Sequence, residues 1–94
     1  MKMEFKLEDG DASICAYSDG TRIGEITFFR TGDGDFVIDH TGVDQKHQGQ
    51  NIGAELVKQV VALARAQGVK IIPECSFARV IFKRHPEFAD VLAK

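Results

Sequence analysis

The sequence predicts an α/β fold of the α+β kind: a mostly antiparallel sheet with one parallel pair, a long helix joining that pair, and a C-terminal helix. Three observations carry this. From Met3 to Val43, short stretches suited to strands follow one another through tight Asp-Gly and Gly-Asp turns. After Asn51, the residues Ile52, Leu56, Val60 and Leu63 recur at helical spacing, with Gly53, Val57, Val61 and Ala64 beside them. A new apolar stretch begins directly after Gly68, and strand, helix, strand in that order implies a right-handed crossover that lays the fifth strand parallel to the fourth.

Met3 to Leu7 alternates apolar with polar, Ala12 to Tyr17 follows the turn Glu8-Asp-Gly-Asp11, and Arg22 to Arg30 follows Ser18-Asp-Gly-Thr21. Thr31-Gly-Asp-Gly-Asp35 then leads into a fourth strand, Asp35 to Val43. On the third strand Ile23, Ile26, Phe28 and Phe29 are expected to form one face packed on a helix. The long helix starts near Asn51, turns Glu55, Lys58, Ala62 and Arg65 to solvent, and ends at Gly68, a residue suited to the left-handed position after a helix. Val69 to Cys75 supplies the fifth strand, and Pro73, which has no N–H, makes its end a poor place for pairing, so a gap is expected between strands four and five. A last helix begins near Ser76 as N-cap, carries Phe77, Val80 and Ile81, and is interrupted at Pro86; Glu87 to Leu92 forms one more short turn.

Ninety-four residues make one domain, 1–94, with a single core. A net charge of -2 with scattered lysines and arginines gives no reason to expect nucleic acid or an anionic membrane as partner. The longest apolar run, Val60 to Ala64, cannot span a bilayer, and the start of the chain is too charged for a signal peptide, so a cytoplasmic monomer is expected. Cys15 and Cys75 form neither a metal-ligand spacing nor a disulfide framework, and Cys15 reads as packing. Asp33, Asp35 and Asp39 lie near a turn and bond their own backbone more readily than a metal; no metal is expected.

The chemistry concentrates in His47-Gln48-Gly49-Gln50-Asn51-Ile52-Gly53-Ala54. A loop with two glycines opening onto a long helix offers amides without intrahelical partners and the positive end of the helix dipole, which together suit a pyrophosphate. On spacing alone the same stretch also reads as an ordinary turn with a helix cap. His47 and Lys46 beside it read first as solvated.

The pattern Gln48-x-x-Asn51-x-Gly53 resembles motif A of the GNAT superfamily of acetyl-coenzyme A-dependent N-acetyltransferases, with Asn51 where a glycine is usual. Asn tolerates left-handed backbone better than other non-glycine residues. His40-Thr41-x-Val43, then Ile72-Pro73-x-Cys75-Ser76-Phe77, then Lys83-Arg84-His85-Pro86-Glu87-Phe88 extend the likeness to a small stand-alone branch that lacks the first helices of larger members. The resemblance implies a minimal GNAT fold with the fourth and fifth strands splayed at the ligand. It implies acetyl-coenzyme A as co-substrate, its pyrophosphate and pantetheine held by Thr41, Val43, Gln48, Gly49, Gln50, Asn51, Ile52, Gly53 and Ser76. It implies transfer of acetyl to an amine acceptor of unknown identity, on a protein or other bulky molecule since the acceptor side is open; the alternatives are a non-catalytic coenzyme A or acyl-coenzyme A binding module and an interaction domain that holds no nucleotide.

For catalysis the residues offered are Cys75 and His40, expected to share one cleft across the parallel strands. A thiolate beside an imidazole or a helix N-terminus is a nucleophile; the bland reading is a small buried hydrophobe and a satisfied strand histidine. Either an amine attacks the thioester directly, with His40 as base and a backbone N–H such as that of Val43 stabilising the oxyanion, or Cys75 is acetylated first. Larger members often place a tyrosine on the last helix as acid, whereas this chain has Phe82 in the corresponding region.

Overall fold

The computed structural model describes residues 3–10 and 12–93; Met1, Lys2, Asp11 and Lys94 lie outside it, and with them one residue of the first expected turn and the first two of the charged start. One five-stranded sheet runs in sequence order: β1 (Met3–Glu8), β2 (Ser13–Ser18), β3 (Thr21–Arg30), β4 (Phe36–Val43) and β5 (Ile71–Pro73). The first four strands are antiparallel neighbours and β5 lies parallel to β4. Between them runs α1 (Ile52–Gln67), and after β5 comes α2 (Ser76–Arg84), with 3-10 turns at Gln45–His47 and Pro86–Val91. The hairpin at Asp19-Gly20 has positive φ at both residues, 48° and 86°, the conformation that a two-residue loop between right-twisted strands requires.

The core lies on one face of the sheet. Ile14, Ile26, Phe28, Phe36 and Ile38 meet Leu56, Val57, Val60 and Val61 of α1, and Ala78, Ile81, Phe82, Phe88 and Val91 close the C-terminal end. Gly24 seats the first turns of α1: a Cβ there would stand 3.4 Å from Leu56, 3.5 Å from Ile52 and 3.1 Å from the Gly42 carbonyl. Phe29 does not join this face. Strand alternation sends it to the side opposite Phe28, where it is 53% exposed. Ile23 does reach the core, as the extra residue of a bulge opposite Ala16 and Tyr17. The opposite face carries no helix among the described residues; there the Tyr17 hydroxyl donates to the Glu8 carboxylate, the Lys6 ammonium sits 5.0 Å from the Tyr17 ring centre, and Cys15 is fully buried as packing.

The sheet changes character along β4. Phe36, Val37 and Ile38 pair with Ile71, Ile72 and Pro73, and there the parallel ladder stops. The Ile38 carbonyl then accepts both the Glu74 and the Cys75 N–H, each at 3.0 Å, as the chain turns away into α2. The fifth strand is therefore shorter than the expected 69–75: the Val69 N–H is spent on the Ala64 carbonyl at the end of α1, and Pro73 has no N–H to continue the ladder. Cys75, not Ser76, is the N-cap of α2; its carbonyl takes the first helical bond, from Arg79 at 3.1 Å, and Ser76 is already helical.

A second irregularity reverses the faces of β4. The β3–β4 register shifts between Thr27 and Phe28, leaving Asp39 as the extra residue, its carboxylate held by the Thr27 hydroxyl at 2.6 Å. Before the bulge Phe36 and Ile38 face the helices. Beyond it Thr41, paired with core residue Ile26, and Val43 face them, while His40, paired with Thr27, faces the open side.

Candidate functional site

Where β4 outruns β5 a cleft of about 440 Å³ opens. Thr41 and Val43 floor it, His47, Gln48 and Gly49 form one rim, Asn51 to Ala54 the head, and Phe77, Ile81 and Arg84 of α2 the far wall. Each part has a local cause. Asn51 takes a left-handed backbone, φ 67° and ψ 18°, and Gly49 has φ 86°, so the loop folds back before α1 begins. No side chain caps α1, and its first helical bond runs from the Glu55 N–H to the Asn51 carbonyl at 3.0 Å. Ile52, Gly53 and Ala54 precede that bond and line the cleft, and the N–H groups of such a first turn have no intrahelical partner.

The floor adds a second row of groups. The Asp44 N–H bonds the Ile23 carbonyl at 2.7 Å, so Val43 and Thr41, which alternate with it, point their amides and carbonyls away from β3, to the side β5 has left. The Gln48 side-chain amide reaches back to the Val43 carbonyl at 3.4 Å and ties the rim to the floor. Gly53 lets α2 close in: a Cβ on it would stand 2.6 Å from the tip of the Phe77 ring. His47 is half-buried, its Nδ1 3.5 Å from the Asp44 carboxylate but without a hydrogen-bond partner among the described residues. At 3.5 Å the two groups lie beyond the ordinary N–H···O range.

Seven of the nine residues expected to hold the coenzyme line this one cleft: Thr41, Val43, Gln48, Gly49, Asn51, Ile52 and Gly53. Gln50 and Ser76 are exposed and do not line it. Cys75 does not line it either but is joined to its floor, half-buried and free, with its thiol toward the Thr41 hydroxyl at 3.8 Å. His40 is not brought to Cys75. The bulge at Asp39 turns its side chain to the open face, where its Nε2 would be 3.1 Å from a Cβ on Gly42, its neighbour two residues on. Sequence reasoning passed over Phe77, Ile81 and Arg84 as site residues, although their i, i+4, i+7 spacing puts them on one face of a helix. Phe82 is buried and packs edge-on against Phe88, at 6.0 Å.

A family model described as "GCN5-related N-acetyl-transferase" matches residues 5–91. No curated protein matches the chain. Among solved structures, that of a GCN5-like protein from Staphylococcus aureus is similar at 32% identity and TM-score 0.77, over 96% of this chain and 87% of that one. A diaminobutyrate acetyltransferase from Paenibacillus lautus, solved with L-2,4-diaminobutyric acid and coenzyme A, is similar in fold at 21% identity and TM-score 0.66, over 82% of this chain and 51% of that one. A Bacillus anthracis structure in complex with acetyl coenzyme A is similar in fold at 21% identity and TM-score 0.62, over 77% of this chain and 43% of that one. The sheet order, the parallel pair that parts, and the match across residues 5–91 place the chain in the GCN5-related N-acetyltransferase family of acyltransferases.

Proposed function

We propose that the cleft binds acetyl-coenzyme A and that the protein transfers its acetyl group to an amine presented at the open face of the sheet. The observation that carries this reading is the uncapped first turn of α1 opening onto the free edge of β4. A diphosphate at Gly49 to Ala54 meets amides and the positive end of the helix together. The pantetheine arm then follows the edge that β5 has left, its amide groups paired with those of Thr41 and Val43 as a further strand would be. That lays the thioester beside Cys75.

The two candidate catalytic residues then divide the work by face. The acceptor amine approaches through the gap from the open face, its nitrogen bonds to the acetyl carbon, the carbon–sulfur bond breaks, and His40 takes the proton released from nitrogen. Cys75, on the ligand's own face, gives its thiol proton to the departing thiolate in place of the tyrosine that Phe82 cannot supply. A second route has an observation in its favour: the Cys75 thiol lies 3.8 Å from the hydroxyl of Thr41 on the cleft floor, so the acetyl group can pass to it before the amine arrives. Among the described residues no helix covers the open face to enclose a small acceptor, which favours an amine on a protein or another bulky molecule.

Calorimetry with acetyl-coenzyme A, followed by release of free thiol against a panel of amines, tests the reading. Saturable binding with amine-dependent thiol release supports it; no binding at millimolar ligand removes it, and binding with no release for any amine leaves a carrier module. Intact mass of the wild type and of Cys75→Ala after incubation with acetyl-coenzyme A separates the routes, since only the second adds an acetyl group to the wild-type chain that the variant lacks.

A further inference from the structure

Arg84 stands apart from the other arginines of the described chain. Arg22 pairs with Glu25 at 2.7 Å, Arg30 lies 4.7 Å from the Phe36 ring centre, Arg65 holds Asp90 at 2.8 Å, and Arg79 donates to the Pro73 carbonyl at 2.9 Å. Arg84 alone among them has no partner among the described residues, although Glu87, three residues on, is an acid that could have taken it; that carboxylate is held by His85 at 3.1 Å. The Arg84 side chain instead lines the cleft. A guanidinium is a planar fork of donors that matches the oxygens of a phosphate, and one left unpaired beside a ligand cleft is available for such a group.

Its position along α2 says which phosphate. The helix begins at Cys75, beside the floor of the cleft, and its first turn meets the mouth of α1 through Phe77 and Gly53. Arg84 lies seven residues past Phe77, about 10 Å farther along the axis at 1.5 Å per residue. A diphosphate on the α1 amides is thus opposite Phe77, and Arg84 stands one sugar's reach beyond it. We propose that Arg84 recognises the phosphate on the ribose 3′ carbon of the coenzyme and makes the protein discriminate against ligands that lack it. This rests on the acetyl-coenzyme A reading above.

The test is titration calorimetry of wild type, Arg84→Gln and Arg84→Glu with acetyl-coenzyme A and with its 3′-dephospho analogue, at a single ionic strength. The wild type should bind the analogue about tenfold more weakly, the effect of losing one charge-assisted pair at a partly exposed site. Arg84→Gln should lose that preference by weakening only the phosphorylated ligand, and Arg84→Glu should favour the analogue. Arg84 is exposed and bonds nothing among the described residues, so thermal melts of the variants should match the wild type. Equal affinity of the wild type for both ligands, or equal weakening of both by Arg84→Gln, would overturn the assignment while leaving the acetyl-coenzyme A reading intact; no binding of either ligand by the wild type would overturn both.

Discussion

The two halves of β4 are one strand with two occupations. Phe36, Val37 and Ile38 are paired on both sides and sealed from solvent, at 0, 6 and 0% exposure. Thr41, Gly42 and Val43 are paired on one side and half-open. The first half joins the sheet to the helices; the second presents an unpaired edge to a cleft. What separates them is small: a proline that ends β5 and one extra residue, Asp39, that reverses the faces. An unpaired strand edge is a liability that folds ordinarily cover, and here the cover among the described residues is slight: the Gln48 side-chain amide on the Val43 carbonyl.

Matched substitutions should expose the difference. Ile38→Ala removes a fully buried side chain and should cost about 2–5 kcal/mol by chemical denaturation, whereas Val43→Ala should cost about 1 kcal/mol and show instead in a weaker affinity for acetyl-coenzyme A. Equal losses of stability from the two would erase the contrast. Gly53→Ala comes next. Its Cβ cannot share space with the Phe77 ring, which is 39% exposed and free to swing away. Helix propensity favours Ala by about 1 kcal/mol, so stability should hold while affinity falls roughly tenfold as the far wall moves. Unchanged affinity would show that Phe77 does not shape the binding cleft.

Away from both halves, Arg65 anchors the C-terminal 3-10 turn to α1 through two bonds to Asp90 and one to the Glu87 carbonyl. The hydrogen bond from Arg65 holds the Asp90 carboxyl below its ordinary range. A depressed pKa means that this contribution to stability is present above the unfolded value, about 3.9, and is lost as pH falls through the folded one. Arg65→Met should therefore flatten the acid limb of the stability curve, measured by denaturation from pH 6 downward, without touching ligand affinity at neutral pH. An unaltered acid limb would count against the pairing. The smallest effect belongs to Asn51→Gly: the left-handed backbone at Asn51 is one glycine adopts freely, so stability and affinity should both stay within about twofold in equilibrium constant. A large loss would mean that the Asn51 side chain itself touches the ligand.

Much of this was legible in the chain. Alternation, the Asp-Gly turns and the helical period gave the element order, and Gly68 ends α1 with φ 69° as its type suggested. The head of the cleft followed from Gly49, Asn51 and Gly53, and the gap between β4 and β5 from Pro73. The face of His40 did not, because a bulge is a property of two strands together: nothing in Asp39-His40-Thr41 says that β3 will skip a residue opposite them. Ile23 was expected on the packed face and reaches it, though through a bulge that the sequence did not show, while Phe29 beside Phe28 could have been placed on the other face by alternation alone. Arg84 was passed over for a different reason. A terminal arginine on a helix is ordinarily solvated, and only its neighbours' partners show that this one has none among the described residues while lining the cleft.

The central claim is that the mouth of α1 grips a diphosphate and thereby lays a thioester along the free half of β4. Amide chemical shifts in an ¹⁵N-labelled sample titrated with acetyl-coenzyme A read it directly. The account predicts saturable shifts that are largest at Gly49, Ile52, Gly53 and Ala54, extend to Thr41 and Val43, and are absent from Phe36 to Ile38. Binding whose shifts fall elsewhere, with the α1 amides unmoved, would contradict it.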